Sequence, residues 1–216
     1  MILEVIIILT LITLYFVFIY PRFDLQYFVT IIACILLSRT LFTIAKKYKN
    51  IAWSFKKGYV GEKQVLEDLV WLSNEYDIFP NLKISGEISD IDFVVIGPTG
   101  ILAIDVKSHK GNIEFDGKDL LKDRKVFEKN IMKQVKSEAY MLSEYLKQKL
   151  NRKFYIKPVL VFSNSNARMR FGLSEVDGVY IINKFYLENL FNSFEIFEWG
   201  LYKSQVICLL QELVSQ

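Results

Sequence analysis

Residues 90–111 read DIDFVVIGPTGILAIDVKSHKG, and the way this stretch folds back on itself decides the rest of the chain. Two short apolar runs flank Gly97-Pro98-Thr99-Gly100, which predicts two strands joined by a four-residue hairpin loop. If Ile96 pairs with Ile101 and Val94 with Ala103, then Asp92 stands opposite Asp105. Side chains alternate across a strand, so Asp92, Val94 and Ile96 share a face with Ile101, Ala103, Asp105 and Lys107. The two carboxylates become cross-strand neighbours about 5 Å apart. Two like charges at that spacing repel, and the repulsion grows as water is removed. Lys107 supplies one compensating charge. A hard divalent cation between the carboxylates would supply more, and Mg²⁺ (or Mn²⁺) suits two protein carboxylates with water and phosphate oxygens in its remaining positions.

Upstream, YVGEKQVLEDLVWLS (59–73) has helical periodicity, with Val65, Leu66, Leu69 and Leu72 on one side. Glu62 falls on that core-facing stripe, so it is a third candidate acid. Its simpler reading is a first-turn acid that complements the helix dipole. YDIFPNLKI (76–84) reads as a strand at a sheet edge because of Pro80. Downstream comes a polar stretch to about Lys129, followed by an amphipathic helix over 131–149. Ile131, Val135, Tyr140, Leu142 and Leu146 form the apolar side of that helix. YIKPVLVFS (155–163) and GVYII (178–182) are strand patterns, and 199–214 is a closing helix. Helices before and between strands need both sheet faces covered, which predicts an α/β fold with a mixed sheet.

An acid, then an Asp-x-Lys on the paired strand, with a helix Glu upstream, resembles the PD-(D/E)xK nuclease arrangement. More specifically, Gly58-Tyr-Val-Gly61-Glu62, Asp90-Ile-Asp92-Phe-Val-Val-Ile-Gly97, Gly100-Ile-Leu-Ala-Ile-Asp105-Val-Lys107 and Gly111-Asn-Ile resemble the nuclease-related domain, NERD, over roughly residues 56–195. Asn130 and Gln134 match that family's N-P-x-x-Q helix start. Phe93 stands where a His is common, Asp105 where Glu is commoner, Ser108 where Asn is usual and Ile131 where Pro is expected. None of these removes a metal ligand. The resemblance implies a restriction-endonuclease-like mixed sheet flanked by helices and a metal-dependent hydrolase of phosphodiester bonds in nucleic acid, DNA being the expected substrate. It implies site residues Glu62, Asp92, Asp105, Lys107 and Gln134, with Asp92, Asp105 and Glu62 at the metal.

Two 19-residue runs precede this domain, at 2–20 with Glu4 as the sole charge and at 27–45 with Arg39 as the sole charge. Each is about the length that crosses a hydrocarbon core. No basic leader or small-residue cleavage site marks a signal peptide. With PRFDLQ (21–26) between them, the runs predict a transmembrane hairpin, the alternative being one span plus a membrane-surface helix. Lys46, Lys47, Lys49, Lys56 and Lys57 follow in a basic juxtamembrane linker, 46–57. By the positive-inside rule the domain from 58 to 216 faces the cytoplasm from the cell (inner) membrane, with these lysines against anionic lipid.

Without residues 1–45, 25 basic residues face 22 acidic ones (27 − 2 and 24 − 2). That surplus is too small to indicate nucleic-acid binding by charge alone. Cys34 and Cys208 are too few for a disulfide framework or a zinc site. The lone histidine, His109, reads as a surface residue, and the aromatics show no stacking platform. Arg168 and Arg170 in SNSNARMR (163–170) are possible phosphate contacts or part of an ordinary polar loop. Two other classes are compatible with these residues: a nuclease-fold module without catalysis that binds nucleic acid or a protein at the membrane, and a membrane scaffold in which Lys107 only neutralises the two aspartates.

Overall fold

The computed structural model describes residues 25–72, 74–84 and 90–214, with isolated helical positions between 7 and 18. The first apolar run therefore lies largely outside the described residues. Contacts divide the chain into two compact units, Met1–Lys56 and Lys57–Gln216.

A helix, α1, runs over Leu25–Val70 and takes in the second apolar run, the lysine-rich segment 46–57 and the predicted helix that begins at Tyr59. Among the described residues it is the one helix long and apolar enough to cross a membrane, judged by length and composition. Ile35, Leu36, Leu37, Leu41, Phe42 and Ile44 are all exposed on it.

In the second unit β1 (Asp77–Leu82), β2 (Ile91–Gly97) and β3 (Gly100–Lys107) form an antiparallel meander. β4 (Gly111–Phe115), β5 (Leu120–Lys122) and β6 (Lys125–Val126) follow, then α2 (Ile131–Leu150). The chain continues through β7 (Ile156–Phe162), β8 (Ala167–Arg168), β9 (Glu175–Val176) and β10 (Val179–Asn183). A 3-10 turn at Lys184–Tyr186, α3 (Leu187–Ser193) and α4 (Tyr202–Val214) close it. The main sheet has six strands in the order β1-β2-β3-β7-β10-β9, and a second sheet has four, β6-β5-β4-β8. Both mix parallel and antiparallel pairs. The fold is thus α/β, with two mixed sheets flanked by helices.

The period-2 pattern of the hairpin is followed on both faces. Val94, Ile96, Ile101 and Ala103 pack with Leu142 and Leu146 of α2 and Val206 and Leu210 of α4. Phe93, Val95, Leu102 and Ile104 pack with Val65 and Leu69 of α1 and with Leu187, Leu190 and Phe191. Three details differ from expectation. Gly97 pairs with Gly100, so Pro98-Thr99 is a two-residue turn and not a four-residue loop. The polar stretch after Lys107 forms β4 to β6, whose short strands carry too few apolar residues to show alternation. Tyr140 is 64% exposed; Ala139, beside it, takes the inward position.

The turn of the hairpin is braced by residues distant in sequence. Lys157 Nζ donates to the Thr99 carbonyl at 2.7 Å. The Phe197 amide donates to the Pro98 carbonyl and Trp199 Nε1 to the Gly97 carbonyl, each at 2.7 Å.

Candidate active site

The other end of the hairpin carries the acids. The β2–β3 ladder runs in the predicted register but its last pair is Phe93 with Ile104. Beyond it the Asp92 carboxylate takes over as acceptor, with Oδ2 2.7 Å from the Val106 amide. One oxygen of Asp92 is therefore committed to holding the strands together where the ladder ends. On its other side β3 stays paired with β7, Asp105 opposite Leu160 and Lys107 opposite Phe162, which fixes the Asp105 backbone in the middle of the sheet.

Asp105 is 2% exposed. Its Oδ1 accepts from Lys107 Nζ at 2.8 Å and from Gln134 Nε2 at 3.1 Å, while its Oδ2 is buried with no hydrogen-bond partner. Burial, above all, raises its pKa to about 7, against the pull of Lys107 and with a push from Asp92 and Glu138. Burial also raises the Asp92 pKa, opposed by the Val106 hydrogen bond.

Gln134 comes from the first turn of α2, which Asn130 caps; the Asn130 side chain accepts from the Lys133 amide and the Asn130 carbonyl from the Gln134 amide. This cap sets where the helix starts and so which residue faces β3. Gln134 Oε1 lies 3.5 Å from Lys107 Nζ, and its Nε2 also donates to Glu138 Oε1 at 2.9 Å.

Glu138 was missed in the sequence. It is 1% exposed, and its position four residues after Gln134, among Val135, Ala139 and Leu142, places an acid inside an apolar stripe. That mismatch was the available signal.

Glu62 reaches the site from the opposite face of the sheet. It is half-buried on α1, and its pKa is raised by burial first and by the Asp92 charge next, with Lys107 opposing. Gly61 allows this approach: a Cβ there would stand 2.5 Å from Ser163 Oγ and 3.3 Å from Ser108 Cβ, so only a glycine lets the helix lie against the ends of β3 and β7.

Gly111, with φ near +112°, has a similar role beyond β3. Its Cα sits against the Asp123 carboxylate, which accepts from the Asn112 amide at 2.8 Å and leaves no room for a side chain. His109 is half-buried rather than a surface residue. Its ring lies edge-on to Phe127 at 5.2 Å, and burial with nearby Lys122, Lys57 and Lys107 lowers its pKa.

Asp92, Asp105, Lys107 and Gln134 are thus brought together, with Glu62 within electrostatic reach. Among the described residues no group of three acidic, histidine or cysteine side chains is placed to hold a metal ion. The donor set is a pair of carboxylates, each with one oxygen engaged, and the unpartnered Asp105 Oδ2 is the atom a cation would satisfy. Two carboxylates fit Mg²⁺, which keeps several waters and takes phosphate oxygens. Cys34 and Cys208 are both free.

The family model described as "Nuclease-related domain", NERD, matches residues 57–163. No curated protein and no solved structure matched the chain.

Proposed function

From a chain that carries a nuclease-related domain over residues 57–163, we propose a membrane-anchored, metal-dependent nuclease that hydrolyses phosphodiester bonds, with DNA as its first expected substrate. The observation that carries this reading is Asp105: a carboxylate in the middle of a sheet, buried, with one oxygen held by Lys107 and Gln134 and the other without a partner. Such a group costs stability when ionised, and a site that binds a cation offsets that cost.

Asp92 and Asp105 would hold Mg²⁺ or Mn²⁺, with Glu62 acting through a water. When bound, the metal would lower the pKa of a coordinated water and stabilise negative charge on the phosphoryl oxygens. The remaining work belongs to the chain. Lys107 orients the attacking oxygen and opposes charge that develops in the transition state. Gln134 fixes both Lys107 and Asp105 Oδ1, so the ammonium keeps one position as the phosphate changes shape. Glu138 fixes Gln134.

The nuclease domain is anchored by α1, whose apolar N-terminal half crosses the cell membrane. Lys46, Lys47, Lys49, Lys56 and Lys57 mark the cytoplasmic side and lie against anionic lipid.

The test is cleavage of end-labelled DNA and RNA by the full chain in detergent micelles, with Mn²⁺ or Mg²⁺ against EDTA, paired with calorimetric titration of Mn²⁺. Metal-dependent cleavage abolished in Asp92→Asn and Lys107→Met is the expected result. No cleavage of any substrate together with no heat of Mn²⁺ binding would overturn the proposal and leave the acids as a structural cluster neutralised by Lys107.

A further inference from the structure

Beside the acid site lies a groove of about 740 Å³ whose walls come from β4, the segment around β8 and the 3-10 turn after β10. Its volume is within the range of ligand sites, roughly 300–1,000 Å³. Two features set it apart. Arg168 and Arg170 line it, against one acid, Glu114, and among the described residues neither guanidinium takes part in an ion pair. Phe185 and Tyr186 also line it, 63% and 56% exposed, with Lys184 Nζ 5.4 Å from the centroid of the Phe185 ring over one face. Aromatic rings left in water beside unpaired guanidinium groups are the combination that single-stranded nucleic acid uses: the cations follow the phosphates and the ring faces accept bases. The sequence did not show this platform because Phe185 and Tyr186 belong to a different segment from the arginines.

Backbone hydrogen bonds tie the segments that line the groove to the strand ends that carry the acid site. The Ser163 amide donates to the Lys107 carbonyl at 3.1 Å, and the Gly111 amide to the Asn166 carbonyl at 3.1 Å. Asn183 Nδ2 donates to the Asn164 and Ala167 carbonyls, tying the aromatic wall to the arginine wall. Asn112, five residues beyond Lys107, and Ser165, two beyond Ser163, are both lining residues.

We propose that this groove binds single-stranded nucleic acid, with Arg168 and Arg170 on successive phosphates and Phe185 and Tyr186 stacked on unpaired bases, and that it feeds the strand towards Asp92 and Asp105. Duplex bases are already stacked on one another and offer no free face to these rings. The inference rests on the nuclease reading and narrows its substrate to unpaired strands.

The test is fluorescence anisotropy of labelled single-stranded DNA, single-stranded RNA and duplex DNA with the full chain in detergent micelles. EDTA is present, so binding is measured apart from metal and cleavage. The variants are Arg168→Ala with Arg170→Ala, and Phe185→Ala with Tyr186→Ala; none of these residues is in the acid site. Single strands should bind at least tenfold more tightly than duplex. The aromatic pair should weaken them roughly tenfold or more. The arginine pair should reduce the slope of log affinity against log salt by about 1.4, the share of two phosphates on a single strand, and Arg→Lys at both positions should restore it. Equal affinity for duplex, or unchanged affinity and salt slope in both pairs, would overturn the groove while leaving any metal-dependent cleavage intact. Single-strand binding here, with neither cleavage nor Mn²⁺ binding in the metal-containing assays above, would instead overturn the nuclease reading and keep the groove. DNA and RNA arms separate the two sources of strand.

Discussion

Asp105→Asn should stabilise the metal-free protein at neutral pH, by an amount that follows from the burial of one carboxylate. The Asp105 pKa is about 7 in the folded chain against an ordinary 3.8. Below pH 3.8 both folded and unfolded chains hold this proton, and the folded state bears no penalty. As pH rises towards 7 the unfolded chain has released the proton and the folded chain retains it, so stability falls by about 1.4 kcal/mol per pH unit. The loss is complete above the folded pKa and totals about 4 kcal/mol over roughly three units. Asparagine has no such titration, and its oxygen still accepts from Lys107 and Gln134. Glu62 and Asp92 also have raised pKa values and steepen the wild-type curve, but they remain in both proteins. The measurement is urea unfolding of wild type and variant in EDTA from pH 5 to 8.5, followed by tryptophan fluorescence in detergent micelles. The variant's advantage should grow by roughly 2–3 kcal/mol as pH rises from 5 through 7 and then level off. Mn²⁺ at a hundredfold over its dissociation constant should return about 2.7 kcal/mol to wild type at pH 8 and little to the variant. A difference that stays flat across this range would refute the buried, partly orphaned carboxylate.

Glu138→Gln removes one of the charges that push the Asp105 proton affinity up, so the pH at which Mn²⁺ binding reaches half its maximum should fall; an unchanged midpoint would separate Glu138 from the site. Gly61→Ala should cost about 1–3 kcal/mol by driving α1 from β7, and Ser163→Ala in the same chain should recover part of it, because the serine hydroxyl is the nearest atom to the added methyl; thermal melts of the single and double variants measure this. Trp199→Phe removes one hydrogen bond to the hairpin turn and should cost roughly 0.5–1.5 kcal/mol in urea unfolding, with Mn²⁺ affinity unchanged because the acids lie at the far end of the strands.

Much of this architecture was legible from local pattern. Alternation fixed β2 and β3 and put Asp92 and Asp105 on one face, and Pro80 marked an edge strand; Gln134 was singled out only by its match to the family's helix start. What the sequence hid depends on tertiary placement. Glu138 lies on an apolar stripe that reads as ordinary core, and its relation to Asp105 appears only when α2 docks on β3. The Asp92 carboxylate could be placed opposite Asp105 by register, but its bond to the Val106 amide arises because the ladder stops one pair earlier. The short strands β4 to β6 carry too few residues for a period to show. Phe185, Tyr186, Arg168 and Arg170 come together only through the crossover that sets β10 beside β7.

The brace on the hairpin turn bears on the order in which the protein is made. Gly97 and Trp199 are separated by 102 positions, and the main sheet takes β7, β9 and β10 from beyond the acid-bearing strands. During synthesis β2 and β3 leave the ribosome while β3 still lacks its parallel neighbour β7, leaving Asp105 and the apolar faces of the hairpin wet. Contacts of such long sequence separation form late. A nascent chain halted before Ile156 would therefore carry the acids without a finished sheet around them, and it would present an unpaired β3 edge to the ribosome's exit and to cellular proteases.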